Sequence, residues 1–265
     1  MKAAPAFSYH EREPAPEIAG IVLSLWAFES TATHGAPSIH TVWPDGCTSL
    51  AIALAPAAAP ALLCVGATVD ALRLPVTPGS RYFGVRFWPD AGAACTRYPA
   101  ALLRDALLPV PALHAASLHA IATRLAAVSR LTDGWPLLQE WASHLTPCVA
   151  PDPLVRRAVQ TIAGVGGNIR VATLASSLGI SVRTLQRRFA TACGLTIKEY
   201  ARIRRLRTAL GARLQGTGES WSALATALGY ADQSHLTREF VALSGVSPRQ
   251  AERRLATIAH HHVRP

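Results

Sequence analysis

The stretch Val171-Ala-Thr-Leu-Ala-Ser-Ser-Leu-Gly-Ile-Ser-Val-Arg-Thr-Leu-Gln-Arg-Arg-Phe-Ala-Thr-Ala-Cys-Gly194 carries two short helical patterns separated by a tight turn. The first spans residues 168–180, with Leu174, Ala175 and Leu178 on its apolar face and Gly179 as its punctuation. Ser181 then offers an N-cap to a second helix whose buried stripe is Leu185, Phe189 and Ala192, and Gly194 ends it. Downstream, Thr196-Ile-Lys-Glu199 reads as a capping box opening a long connector helix with Tyr200, Ile203, Leu206, Leu210 and Leu214 on one side. The pattern then recurs. Ser220 caps a short helix bearing Leu224, Ala225 and Leu228, Gly229-Tyr230 makes the turn, and Asp232 caps a helix bearing Leu236, Phe240 and Leu243. Gly245 closes it, and Ser247-Pro248 supplies the cap and first-turn proline of a last helix, expected to end near Ile258.

Two helix-turn-helix units in tandem point to DNA, because the second helix of such a unit fits the major groove while the first supports it. With Leu185 and Phe189 inward, the outward residues of the first reading helix are Arg183, Gln186 and Arg187; on the second they are Gln233, Ser234, His235 and Arg238. Arginine pairs bidentately with guanine and glutamine with adenine, so both faces carry base-reading chemistry. A connector of about nineteen residues is roughly 28 Å long, which suits two reading helices one DNA turn apart, roughly 34 Å.

Charge agrees. Residues 1–150 hold 9 Lys and Arg against 10 Asp and Glu, whereas the remaining residues hold 17 against 6, with Lys198 their only lysine. Such one-sided charge suits a polyanionic partner. Backbone phosphates are expected to meet Arg202, Arg204, Arg205, Arg207 and Arg249.

The segments Val171-Ala-Thr-Leu-Ala175, Ser181-Val-Arg-Thr-Leu-Gln-Arg-Arg-Phe189, Leu228-Gly-Tyr230, Asp232-Gln-Ser-His-Leu-Thr-Arg-Glu-Phe240 and Ser247-Pro-Arg249 strongly resemble the AraC/XylS family of bacterial transcription regulators over residues 154–255. The resemblance implies a single domain holding both units, the same seven reading positions, and RNA polymerase as a partner.

The N-terminal part reads as short strands at residues 18–28, 49–54, 62–65 and 82–88, separated by turn signals at Pro44-Asp45-Gly46, Pro56 with Pro60, and Pro78-Gly79. Helical periodicity follows from residue 112, through Leu113, Leu118, Ile121, Leu125 and Val128, and again over residues 135–145. The expected fold is therefore α+β: a β-rich, barrel-like sensory or dimerisation domain with a helical pair over residues 1–146, a proline-marked linker at 147–153, and an all-helical double helix-turn-helix domain over 154–258. The pieces His40-Thr-Val-Trp-Pro-Asp-Gly-Cys47 and Tyr82-Phe-Gly-Val-Arg-Phe-Trp-Pro89 resemble the β-rich sensory domains of one branch of that family. For a small-molecule effector pocket the candidates are Trp43, Asp45, Arg86 and Trp88; the alternative places the tryptophans in the core and Asp45 in a turn.

Enzymatic constellations are scarce. No G-x-S-x-G, Walker loop, G-x-G-x-x-G or H-E-x-x-H is present, and the five cysteines form no C-x-x-C pair, which argues against a disulfide framework, a zinc knuckle and a cysteine-clustered DNA-repair methyltransferase. No catalytic residue, cofactor or metal is assigned. The rival reading is a metal-dependent cupin-like enzyme with a DNA-docking tail, drawing on His34, His40 or Cys47; the run His260-His-His262 reads as a frayed end. No stretch is long and apolar enough to span a bilayer of roughly 30 Å and no secretory signal is readable, so a cytoplasmic location is expected, with a homodimer through the 118–145 helices as one further option.

Overall fold

The computed structural model describes residues 6–32, 35–110, 112–145, 147–215, 220–255 and 258–261. The N-terminal strands are β1 (Phe7–Arg12), β2 (Val22–Ser30), β3 (Ser38–Val42), β4 (Ser49–Leu54), β5 (Ala61–Val65), β6 (Leu72–Val76), β7 (Arg81–Phe87) and β8 (Leu107–Pro109). Two short helices, α1 (Gly92–Thr96) and α2 (Ala100–Leu103), precede β8, and α3 (Ala112–Ala126) and α4 (Trp135–Ser143) follow it. The main sheet runs β8-β5-β4-β7-β2-β1, while β3 and β6 pair separately as an antiparallel ribbon. The sheet does not close into a barrel. Its two faces are covered by different elements, and period-two alternation sorts the side chains between them. Leu50, Ile52, Phe83, Val85 and Phe87 bury against Leu118, Ile121, Leu125, Leu138 and Trp141 of α3 and α4. The intervening residues Ala51, Tyr82 and Arg86 instead face a cavity roofed by the β3–β6 ribbon. Gly84 is required here, since a Cβ at that position would come within 2.3 Å of the Trp26 indole lying across it.

Burial of α3 and α4 has a consequence for association. The apolar stripe expected to serve a dimer, including Leu118, Leu125, Trp141 and Leu145, is consumed in the domain's own core.

The C-terminal half comprises α5 (Pro153–Gly164), α6 (Val171–Ser177), α7 (Val182–Cys193), α8 (Ile197–Leu214), α9 (Trp221–Ala227), α10 (Gln233–Ser244) and α11 (Pro248–Leu255). The punctuation read from sequence operates as expected. Ser181, Thr196, Ser220 and Asp232 each accept a backbone N–H of the first turn, and Gly194 and Gly245 take left-handed conformations at the ends of α7 and α10. The expected helix over 168–180 is shorter, because Gly166 and Gly167 have positive φ and Arg170 is extended, so α6 starts at Val171. Asp152 and Pro153, at the end of the proline-marked segment, already cap and open α5.

The last helix departs from expectation. It ends at Leu255, and residues Ile258–His261 form β9, which adds in parallel to β1 at the edge of the N-terminal sheet. The physical reason is the open edge: β1 offers a row of backbone groups that a following strand satisfies.

The two halves share core. Ala67 and Val69, from the loop after β5, belong to the same buried cluster as Leu185, Phe189, Leu236 and Phe240. The Ala71 amide donates to the Leu243 carbonyl at 2.9 Å, and Arg254 of α11 donates to Thr41 Oγ1 of β3 at 3.0 Å.

Candidate nucleic-acid interface

In α7, Ser181 Oγ accepts the Thr184 amide at 3.2 Å, which fixes the helix start and turns Leu185 and Phe189 inward. Arg183, Gln186 and Arg187 are consequently exposed on the outer face. In α10, Asp232 Oδ1 accepts the His235 amide at 2.7 Å, while Phe240 packs inward against Trp221 with ring centroids 5.7 Å apart. Gln233, Ser234 and Arg238 are exposed; His235 is half-buried, edge-on to the Tyr230 ring at 5.3 Å. Six of the seven residues expected to face outward are thus exposed on two equivalent helices, joined by α8, which at 1.5 Å per residue is roughly 27 Å long.

The five arginines chosen for phosphate contact divide differently. Arg202 Nε lies 3.0 Å from Glu239 Oε2 and Arg205 Nη2 lies 3.1 Å from Oε1, with the Tyr230 hydroxyl donating to the same carboxylate at 2.7 Å. Arg205 also lies over the Tyr230 ring at 4.8 Å. These two side chains therefore hold α10 onto α8, because residues three apart on a helix share a face and that face meets Glu239. Arg204 and Arg207 are half-buried, and their positive charges lower the Cys47 thiol against the burial that raises it. Arg249, near the start of α11, is the exposed member of the five. Pattern reading finds a basic helix but not which of its faces is occupied.

Residues 174–254 match a family model described as a helix-turn-helix domain, and residues 10–109 match one described as a domain of unknown function. No curated protein matches the chain. Among solved structures, the C-terminal domain of AraT, a response regulator from Geobacillus stearothermophilus, is 27% identical, covering 38% of this chain and 85% of its own, with a TM-score of 0.36. A transcriptional regulator of Chromobacterium violaceum with an AraC-type DNA-binding domain is 24% identical over 39% of this chain and 93% of its own, also at 0.36. Residues 174–254 are a helix-turn-helix domain. ToxT from Vibrio cholerae aligns along 94% of this chain and 98% of its own at 11% identity and a TM-score of 0.44.

The helical half is seated on the N-terminal domain through charged contacts as well as shared core. Arg156 of α5 donates its Nε to both oxygens of Asp90, at 2.9 and 3.0 Å, and Nη1 to the Gly20 carbonyl at 2.7 Å. Burial pushes the Asp90 carboxyl above its ordinary range in spite of that guanidinium. Arg104 Nη2 lies 2.7 Å from Glu199 Oε1; that hydrogen bond is the main reason the Glu199 carboxyl falls to about 2.

Between the sheet and the β3–β6 ribbon lies a cavity of about 130 Å³, walled by Tyr9, Trp26, Phe28, His40, Leu74 and Tyr82. Asp45 and Arg86 line it as expected from sequence. Arg86 Nη1 bonds Glu11 Oε1 at 2.8 Å and its Nε lies 2.9 Å from Asp45 Oδ2. Burial opposes the Arg86 charge, but Tyr9, Asp45 and Glu11 outweigh it and hold the guanidinium protonated. Burial likewise raises the Tyr9 phenol to about 12.

Trp43 and Trp88, the other two pocket candidates, do not line this cavity. Trp43 packs on Phe240 of the helix-turn-helix domain at 6.5 Å between ring centroids, and Trp88 donates its indole N–H to the Ala19 carbonyl beneath the Arg156 guanidinium. Both stand at the seam between domains. Trp43 and Trp88 stand next to turns, whereas strand parity places Trp26 and Phe28 of β2 on the cavity side, a signal carried by the alternation of β2 and β7.

Among the described residues, no three His, Cys, Asp or Glu side chains converge as metal ligands. His34 and His262 lie outside the described residues. No helix among the described residues is long and apolar enough to cross a membrane.

Proposed function

We propose that the chain is a sequence-specific transcription regulator that reads two adjacent major-groove segments, one with α7 and one with α10. The observation that carries this reading is the twice-repeated arrangement in which a capped helix buries a Leu-x-x-x-Phe stripe and exposes arginine and glutamine near its N-terminal end. Arg183, Gln186 and Arg187 address one segment; Gln233, Ser234, His235 and Arg238 address the other. Arg249 contacts the backbone, and RNA polymerase is the partner through which transcription responds.

The N-terminal cavity is the site of effector control in this reading. Its size is below the roughly 300–1,000 Å³ usual for drug-sized ligands, so the effector is small. The Trp26 indole N–H is buried with no hydrogen-bond partner among the described residues, a donor suited to a ligand acceptor. Ligand entry reaches α8 directly, since Asp45 and Cys47 border the cavity and the Gly46 between them packs on Tyr200.

Selection of bound fragments from a random duplex library by the full chain tests the reading. Two short motifs about one helical turn apart are expected; the absence of any selected sequence overturns it.

A further inference from the structure

A cleft of about 750 Å³ separates α7 from the N-terminal domain, and its walls are unequal in charge. Two carboxylates face it, and both are taken: Asp90 by Arg156, and Asp152 by Arg188, whose Nε and Nη2 donate at 2.6 and 2.7 Å. Two further arginines line it, Arg97 from the end of α1 and Arg187 from α7, and neither guanidinium has a hydrogen-bond or ion-pair partner among the described residues. The cleft is therefore net positive and suited to an anion.

Arg97 is also held in an unusual way. It caps α1 in the left-handed conformation, φ +59° and ψ +15°, with its amide bonded to the Ala93 carbonyl. Glycine adopts that conformation at least cost, so a long cationic side chain there carries backbone strain. Strain of this kind persists where the neighbouring structure fixes it and the side chain has a use. The mounting is rigid: a Cβ at Gly194, the end of α7, would stand 2.1 Å from the Ala100 carbonyl of α2, so the two backbones touch just beyond Arg97.

Resting on the DNA reading above, we propose that Arg97 of the N-terminal domain is part of the DNA interface and clamps the sugar-phosphate strand that borders α7. A helix with its side chains is about 10–12 Å across and the major groove about 12 Å wide, so the phosphates edging the groove lie against the flanks of an inserted helix. Arg187 lies on the flank of α7 that faces the cleft, and Arg97 stands on the opposite wall. A bordering strand passes between them, with Arg97 forming a charge-assisted bond that carries no sequence information.

The test uses the full chain, a duplex selected by the wild type from a random library, and a scrambled duplex of equal length, titrated over a range of salt. Arg97→Ala should weaken both duplexes by a similar factor, roughly five- to tenfold, and lower the slope of log affinity against log salt by about 0.9. Arg97→Lys should keep most of that slope. Arg97→Gly removes the strain, so it should melt no lower than wild type and still lose the same affinity, a combination a merely structural residue would not give. Unchanged slope and affinity in both Arg97→Ala and Arg97→Gly, on a duplex the wild type binds, overturn the proposal and leave the cleft to a small anion. If the wild type selects no duplex, the underlying DNA reading fails and this proposal fails with it.

Discussion

The Asp90 carboxylate, with no side-chain surface open to solvent, accepts at both oxygens from the single Nε of Arg156, the one residue from the N-terminal domain and the other from the first helix of the helical half. A buried carboxylate is stable as an anion only while its partner stays, and Asp90 already titrates above its ordinary range because burial outweighs the guanidinium.

Arg156→Ala should therefore destabilise the chain by about 3 kcal/mol, as expected when one member of a buried pair is removed. Asp90→Ala combined with Arg156→Ala should cost less than Arg156→Ala alone, since no charge is then stranded. Urea unfolding of the three proteins measures this; a single-mutant loss below about 1 kcal/mol would show that the seam is held by shared core alone.

Glu199 gives a pH prediction with a definite sign. Its carboxyl falls from an ordinary value near 4.5 to about 2, chiefly through the Arg104 hydrogen bond, with Thr196 adding backbone and hydroxyl donors. A folded-state value below the unfolded one means the contribution is fully present above about pH 5 and is lost as pH falls toward about 2. The stability difference between wild type and Glu199→Gln should be constant from pH 7 to 5 and shrink below that, as read by thermal melting across pH. A difference that persists at pH 2 would contradict the assignment.

Glu239 is the point where Arg202, Arg205 and Tyr230 converge, and its side chain is only 10% exposed. Glu239→Gln should lower stability by about 2 kcal/mol through the loss of charge-assisted bonds. It should also loosen α10 on α8, weakening binding to the selected duplex more than to the scrambled one. Melting and paired binding isotherms check the two parts separately.

The roles proposed for Arg187 and Arg249 can be separated as base reading and backbone contact. Arg187→Ala should cost about 1–3 kcal/mol on the selected sequence and relax preference at one base pair, whereas Arg249→Ala should weaken all sequences alike. Equal losses on selected and scrambled DNA for both variants would sink that division.

The amino-acid sequence by itself determined the helical half. Ser181, Thr196, Ser220 and Asp232 cap helices, Gly194 and Gly245 end them, and the four-residue spacing of Leu185 with Phe189 and Leu236 with Phe240 sets which face is buried. Each of these signals acts within a few residues, so local pattern suffices, and the outward-facing residues follow by elimination. The strands at 49–54 and 62–65 were legible for the same reason. Only the tertiary structure decided the rest. Whether Arg202 is free or bound depends on Glu239, 37 positions away; whether Trp88 lines a cavity or a seam depends on Arg156; and the tail at Ile258 becomes a strand because β1, some 250 residues earlier, has an open edge. The barrel expected of the N-terminal strands is likewise an open sheet, since α3 and α4 cover one face and the β3–β6 ribbon the other. Partners distant in sequence leave no periodic trace in it, and charge, burial and pairing at these positions are properties of the packed chain.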